Sequence, residues 1–468
     1  MCPIGGARKW LRLFQSFCMT DFLTFLISLV IVVHQVLYWT YLWQLKEYRR
    51  DRFLAGIAER SDLSRALREQ FNLLKWYRPR WTARAILSLL LGLGVAGFLV
   101  GENNFMFRVL VVLLVPVVSA VSVAVVTPPF WFWKEVLVYR AGVKMKKFKG
   151  GVIGIAGSYG KSSTKEILKQ VLSSKFKVQS TEGNDNSEIG VAQTVLRKLR
   201  GDEDFFVVEM GAYRRGEIKK ICEMVRPKFG IVTGIGDQHL ELFGSQENLR
   251  RAKMELVEAL PSRKNGLVAE EDFSLGETKS VRVLRDYVEF GYAGEKFAVP
   301  LVGKQPVRNV VAVIKMARLL GMSLPEISAA LGKFSPDLIY PKIKKIGENE
   351  YIIDNSYNNS FESFFSALDY LQIWEGFRKI VVTPGIMELG ERGKADHEKI
   401  GRELKAVDTV LVTHDNFFSE LNASMDAQLV TDFRELVEKV RSYRGKNVVI
   451  LFQGKMPKAV LTAVEGNR

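Results

Sequence analysis

Three long apolar runs lie within the first 130 residues, at about 22–43, 85–101 and 105–126, and they restrict this chain more than any other feature. About 20 apolar residues in a helix span a hydrocarbon core of roughly 30 Å. A backbone in hydrocarbon must satisfy its polar groups internally, so such runs are expected as helices. A cleaved signal peptide is the rival reading for the first run, but its apolar core is shorter and ends at small residues. Here Tyr38-Trp39-Thr40-Tyr41-Leu42-Trp43 closes the run, the composition of an interfacial aromatic belt. The second and third runs are separated only by Gly101-Glu102-Asn103-Asn104 and read as a hairpin of spans. Arg108 is expected to snorkel to the interface, and Pro116 is tolerable inside a span. The alternative is a soluble helical domain with buried helices.

Loop charge gives an orientation. Residues 44–84 carry eleven Lys/Arg against five Asp/Glu, so that loop is expected on the cytoplasmic side. Two further crossings return the chain to the cytoplasm near residue 128, where Phe130-Trp131-Phe132-Trp133 marks the interface. Lys144, Lys146, Lys147 and Lys149 follow, whereas Arg8, Lys9 and Arg12 at an outside N-terminus run against the scheme. The expected location is the cytoplasmic (inner) membrane. A net charge of +16 suits nucleic acid or an anionic membrane; its crowding around apolar runs favours the membrane and no nucleic-acid partner. Three scattered cysteines, Cys2, Cys18 and Cys222, give neither a disulfide framework nor a metal spacing.

From residue 150, short β-branched runs alternate with helical patterns. Strands are expected at 151–156, 205–209, 229–233, 379–383, 408–412 and 447–452, and helices at 161–174, 215–225, 245–260, 308–320 and 396–404. That alternation predicts a doubly wound α/β architecture. The expected organisation is a membrane region at 1–149, a central domain at 150–332, and a C-terminal, Rossmann-like domain at 333–468.

The stretch GVIGIAGSYGKSSTKEIL (151–168) runs from a strand through a glycine loop into a helix. Glycines let backbone N–H groups approach phosphate oxygens, and a helix N-terminus adds partial positive charge. In the loop Gly157-Ser158-Tyr159-Gly160-Lys161-Ser162, Lys161 is placed to neutralise phosphates and the Ser162 hydroxyl to ligate Mg²⁺. Ile155 stands where the longer G-x-x-x-x-G-K-[ST] pattern needs glycine. Glu209 ends a predicted strand, where α/β sheets place ligand groups, and a carboxylate there suits a hard cation. His239 falls in a loop and Lys253 on a helix, a position that ordinarily carries a solvated charge.

Residues 157–163 (GSYGKSS) resemble the shorter loop of the Mur ligase family, G-[ST]-x-G-K-[ST]-[ST], in which no glycine is expected at 155. TEGNDNSEIGV (181–191), VVEMGAYRRGEI (207–218) and PKFGIVTGIGDQHLELFGSQENLRRAKMEL (227–256) are similar to further segments of its MurF-like branch. So are YIIDNSYNNSFESFFSALDYL (351–371) and PGIMELGERGKADHEKIG (384–401). The likeness covers about 150–415.

The resemblance implies an ATP- and Mg²⁺-dependent, amide-forming ligase of cell-envelope precursor synthesis. A carboxylate acceptor, muramoyl-peptide-like and, given the membrane runs of this chain, expected to be lipid-linked, becomes an acyl phosphate. An amine such as D-alanyl-D-alanine then displaces phosphate. Implied nucleotide contacts are Gly157, Ser158, Gly160, Lys161, Ser162, Ser163, Asn309 and Asp354, and implied metal-site residues are Ser162, Glu209, His239 and a carbamylated Lys253. Lys161, His239 and Lys253 are the implied catalytic groups, and membrane lipids are the remaining partner.

Four departures from the family pattern stand out. Membrane runs occupy the place of the domain that grips the UDP-sugar. Gly303-Lys304-Gln305-Pro306 replaces G-x-H-N. By spacing, Tyr340 holds the place of an ATP-contacting arginine, with Lys342 nearby. Asn355 and the Pro384-Gly385-Ile386 stretch each lack an acid of the pattern, and Ser187 replaces an asparagine. The alternative reading is a nucleotide-binding membrane scaffold with little turnover.

Overall fold

The structure is a computed structural model. It describes residues 5–466 except 47, 51–52, 54–59, 74–75, 102–103, 184, 237–242, 270, 358–359 and 387–392, and side chains outside 5–20, 60–63 and 65. The chain divides into two units, Met1–Val136 and Leu137–Arg468.

In the first unit, helix α1 spans Gly5–Leu45, α2 Arg60–Glu69 and α3 Ala83–Val100; α4, Phe105–Lys146, begins there. Among the described residues, three helices are long and apolar enough to cross a membrane, over Asp21–Leu45, Ala83–Val100 and Phe105–Lys146. Small residues on α3 let α1 approach: a Cβ on Gly92 would sit 3.1 Å from Val36 Cγ1. Arg108 differs from expectation. It is buried rather than snorkelling, and donates to Val100 O at 3.2 Å, Asp21 O at 3.1 Å and Thr24 Oγ1 at 2.9 Å. His34 is also buried, with Nδ1 3.1 Å from Gln70 O.

The second unit begins at Leu137, within α4. The last turns of α4, which composition groups with the membrane region, pack into the following domain through Ala141 and Met145. Lys144 Nζ donates to Leu199 O at 2.6 Å, capping carbonyls beyond helix α6, Glu188–Arg197.

The central sheet is parallel. Its strands are β1 (Gly151–Ala156), β2 (Val178–Ser180), β3 (Phe205–Glu209), β4 (Phe229–Val232) and β5 (Gly266–Val268), in the order β2-β3-β1-β4-β5. Side chains of β1 alternate between two cores. Ile153 and Ile155 face the core shared with α5 (Lys161–Ser173) and α9 (Pro306–Leu319). Val152 and Ala156 face the core shared with α6, α7 (Glu217–Val225) and α8 (Gln246–Glu258). Both faces are therefore covered, as parallel sheets require. Three short strands, β6 (Lys279–Val283), β7 (Val288–Tyr292) and β8 (Glu295–Val299), form an antiparallel meander outside the sequence expectation.

Helix α10, Leu324–Gly332, closes the central domain. The second sheet is built from β9 (Lys342–Gly347), β10 (Glu350–Asn355), β11 (Arg378–Thr383), β12 (Thr409–Val412), β13 (Ala427–Leu429) and β14 (Val448–Gln453), in the order β13-β12-β11-β14-β10-β9, and is parallel except for β9 against β10. Its core holds Phe364, Trp374 and Leu451. The polypeptide passes between the two sheets at residues 333–341.

Candidate active site

The central strand order reverses around β1, and in such sheets ligands collect beyond the carboxyl ends at that point. Three connections meet there. Register pairs Ile155 with Glu209 and Ala156 with Val232, so the ends of β1, β3 and β4 lie side by side.

The loop after β1 depends on two glycines. Gly157 has φ 145° and a Cβ there would lie 2.0 Å from Thr233 Oγ1. Gly160 has φ 81°, and a Cβ there would lie 2.9 Å from the Asn309 amide. Gly160 caps α5 without a side chain, which leaves first-turn N–H groups for a ligand. Asn309, expected near the nucleotide, is buried against this glycine. Ser158, buried, donates from Oγ to Gly236 O at 3.2 Å. Ser163 follows in the first turn of α5.

Lys161 folds back over the loop, with Nζ 2.9 Å from both Gly157 O and Ser158 O. Burial pushes its ammonium below the ordinary lysine range, and Glu209 opposes that shift. Ser162 Oγ donates to Glu209 Oε1 at 3.0 Å, and Asn186 Nδ2 donates to the same oxygen at 3.1 Å. Glu209 is buried, and its Oε2 lies 3.4 Å from Lys165 Nζ. Lys165 is fully buried and also 3.2 Å from Glu166.

Sequence reasoning missed Lys165 and Asn186. Asn186 lies inside the quoted 181–191 stretch, which was its signal. Lys165 carries the look of a surface helix lysine, and only tertiary packing reveals it. Ser187 caps α6 by accepting from Gly190 N at 3.3 Å, a structural use of the residue that replaces an asparagine.

Lys253 projects from the buried face of α8. Its Nζ donates to Ala212 O at 3.2 Å and lies 5.4 Å from the Phe243 ring centre. Burial, reinforced by the charge of Lys161, pushes it down to about 7. A lysine so placed is about half neutral at pH 7, largely neutral by pH 8, and then nucleophilic. His239 lies outside the described residues.

The C-terminal domain approaches the loop at Tyr357, whose phenol is close enough to Ser162 and Glu209 to feel both. Burial raises the Tyr357 phenol, and the Ser162 contact opposes that rise. Tyr357 stacks on Tyr340 at 5.2 Å between centroids, and Lys342 Nζ lies 5.0 Å from the Tyr340 ring centre. Asp354 accepts from Ser356 N at 2.9 Å and is in register with Lys342. Asn355 is buried and donates to Gln453 Oε1 at 2.7 Å and Ser363 Oγ at 3.0 Å. It is a packing residue in this fold.

The residues fit a magnesium nucleotide. Ser162 and Glu209 bring two hard oxygen ligands together, and Glu209 Oε2 is buried without a hydrogen bond. The glycine loop, the open helix terminus and Lys161 supply the phosphate cradle.

Two family profiles match the chain: the Mur ligase middle domain over residues 155–282, and the Mur ligase glutamate ligase domain over 343–456. The chain is 29% identical over 280 residues to a UDP-N-acetylmuramoyl-tripeptide–D-alanyl-D-alanine ligase of Synechocystis sp., covering 56% of this chain and 61% of that protein. It is 28% identical over 335 residues to the Escherichia coli enzyme of that name, covering 64% and 72%. The chain therefore spans less than two thirds of the first of these relatives. The fold matches a crystal structure of MurF ligase from Thermotoga maritima in complex with ADP, with TM-score 0.63, 26% identity and coverage of 71% and 83%.

Proposed function

This chain belongs to the Mur ligase family, whose middle and C-terminal domains it carries, and on that premise we propose an ATP-dependent amide ligase of the MurF type. The relatives are named for joining D-alanyl-D-alanine to a UDP-N-acetylmuramoyl tripeptide, which supports a role in peptidoglycan precursor synthesis. The observation that carries the reading is the junction of Lys161, Ser162, Asn186 and Glu209 at the ends of β1 and β3.

In this reading an acceptor carboxylate oxygen attacks the γ-phosphorus of ATP and ADP leaves. The amine then attacks the acyl carbon, losing a proton as inorganic phosphate departs. Lys161 and the loop N–H groups hold the phosphates in line and stabilise charge on the transferring group. Ser162 and Glu209 would hold a magnesium ion, which would supply further charge neutralisation at the phosphates. Asn186 and Lys165 hold Glu209 in place. Lys253, as a neutral amine, is suited to carbamylation, and His239 is the further metal-site candidate. Asn309 and Asp354 are assigned to the nucleotide.

We place the three apolar helices in the cytoplasmic membrane with the ligase domains in the cytoplasm, and the acceptor as lipid-linked. Neither family match includes residues 1–154, which supports a different means of holding the acceptor. The test is amide formation on a soluble UDP-muramoyl tripeptide against its lipid-linked counterpart. Equal turnover of the soluble acceptor by residues 150–468 alone would defeat the lipid-linked assignment.

One observation favours a second reading, a scaffold that binds nucleotide with little turnover. The Tyr340–Tyr357 stack stands where the family resemblance implies an arginine. ATP binding without ADP release across acceptors and amines would establish it.

A further inference from the structure

The stretch Trp76–Thr82, between α2 and α3, is held in place by its backbone and turns Arg78 and Arg80 outward. Gln44, near the end of α1, grips Arg80 at two points: Nε2 donates to Arg80 O at 2.9 Å and Oε1 accepts from Arg80 N at 2.6 Å. Tyr77 is turned inward, 4.6 Å from the Tyr38 ring and 5.6 Å from that of Tyr41. Pro79 is buried, and Thr82 caps α3 by accepting from Ala85 N at 3.2 Å. The segment is thus fixed at both ends.

The outward residues are of two kinds. Trp76 is 58% exposed and Trp81 69%. Arg78 and Arg80 are exposed, and neither guanidinium has a hydrogen-bonding or ionic partner among the described residues. The other arginines packed in this unit contrast with them. Arg108 is satisfied by three oxygens, and Arg84 donates to Thr127 Oγ1 at 2.6 Å and lies over the Tyr48 ring. Two unpartnered guanidiniums between two exposed indoles, at the ends of two apolar helices, have the chemistry of a lipid headgroup layer. Indoles favour the polar–apolar boundary, and guanidinium forks match phosphate oxygens. Eleven Lys/Arg against five Asp/Glu in residues 44–84 make the surroundings attractive to anions.

The geometry points to Trp76, Arg78, Arg80 and Trp81 as a binding site for the phosphate of anionic phospholipids in the cytoplasmic leaflet. This rests on the membrane reading above and is independent of the ligase chemistry.

The test is native mass spectrometry of the full chain, purified in mild detergent and offered equal phosphatidylglycerol and phosphatidylcholine. The wild type is expected to retain phosphatidylglycerol selectively. Arg78→Gln with Arg80→Gln should lower that retention about 30-fold, and Trp76→Ala with Trp81→Ala should lower retention of the same lipid. Arg282→Gln, a surface change in the meander, should leave it unaltered. An unchanged lipid count in the double arginine variant overturns the site, as does equal retention of both lipids. Displacement of phosphatidylglycerol by millimolar inorganic pyrophosphate would mark a soluble-anion site and overturn the lipid assignment. Carbonate extraction separates the two claims. Release of the wild type from membranes defeats the membrane reading and this site together, whereas a retained protein without lipid selectivity defeats this site alone.

Discussion

Ser162 Oγ donates to Glu209 Oε1 at 3.0 Å, joining the first turn of the loop helix to the end of β3. Asn186 and Lys165 hold the same carboxylate. Glu209→Gln should cut magnesium-dependent ADP release about 100-fold or more. It also leaves Lys165 with Glu166 as its remaining ionic partner, at a cost of about 1–3 kcal/mol in stability. Adding Lys165→Met should recover part of that loss, read as the coupling in a thermal-unfolding double-mutant cycle. Simple additivity would mean the buried pair contributes nothing.

Gly160 is required by two separate constraints, a left-handed backbone and the Asn309 amide 2.9 Å from any added Cβ. Gly160→Ala should cost about 1–3 kcal/mol and weaken binding of a fluorescent ATP analogue about tenfold. Gly183 also has a positive φ, 48°, but open space around it. Gly183→Ala should therefore carry the smaller backbone cost, with nucleotide affinity nearly intact.

Lys253 is pushed down to about 7 by burial and by Lys161. The unfolded chain therefore holds a proton here that the folded chain gives up, between pH 7 and the ordinary lysine value of about 10.4. Stability conferred relative to Lys253→Met should rise with pH through that window and be least below pH 7. Thermal unfolding of both proteins at pH 7 and pH 9 reads the difference. A wild-type advantage that shrinks with rising pH would contradict the burial assigned to this amine.

His397 is buried between two backbone groups and a ring. Its Nδ1 is 2.6 Å from Gly393 O, its Nε2 accepts from Ile386 N at 3.0 Å, and it stacks on Phe417 at 4.5 Å. Burial holds the imidazole below its ordinary value, so the folded state favours the neutral ring. Protonation would set an N–H against the Ile386 N–H. The stabilisation is complete above about pH 6.5 and is lost as pH falls below it. His397→Phe keeps the stacking and removes the titration, so its melting temperature should depend less on pH between 5 and 6.5.

The loop, Lys161, Ser162 and Glu209 were legible in the sequence because glycine spacing and a strand-end carboxylate carry their own mechanics. The central sheet was legible because β1 and β3 are short apolar runs between helices. Other features depend on contacts between distant positions. Lys165 looks solvated until α5 packs against the Gly183 stretch, where its ammonium meets a carbonyl. Asn355 reads as a missing acid until Gln453, 98 residues later, takes its amide. The β6–β8 meander went unread although VEFGY and EKFAV alternate buried and more exposed residues, because such short half-exposed strands carry little hydrophobic signal. The end of α4 is basic by composition, yet Ala141 and Met145 turn one side of it into domain core.

The most direct test of the account is ADP release by the full chain, in detergent or nanodiscs, over a panel of muramoyl-peptide acceptors with D-alanyl-D-alanine and related amines, beside Lys161→Ala. The account predicts release that requires both acceptor and amine and falls at least about 100-fold in the variant. Equal release from wild type and Lys161→Ala would contradict it.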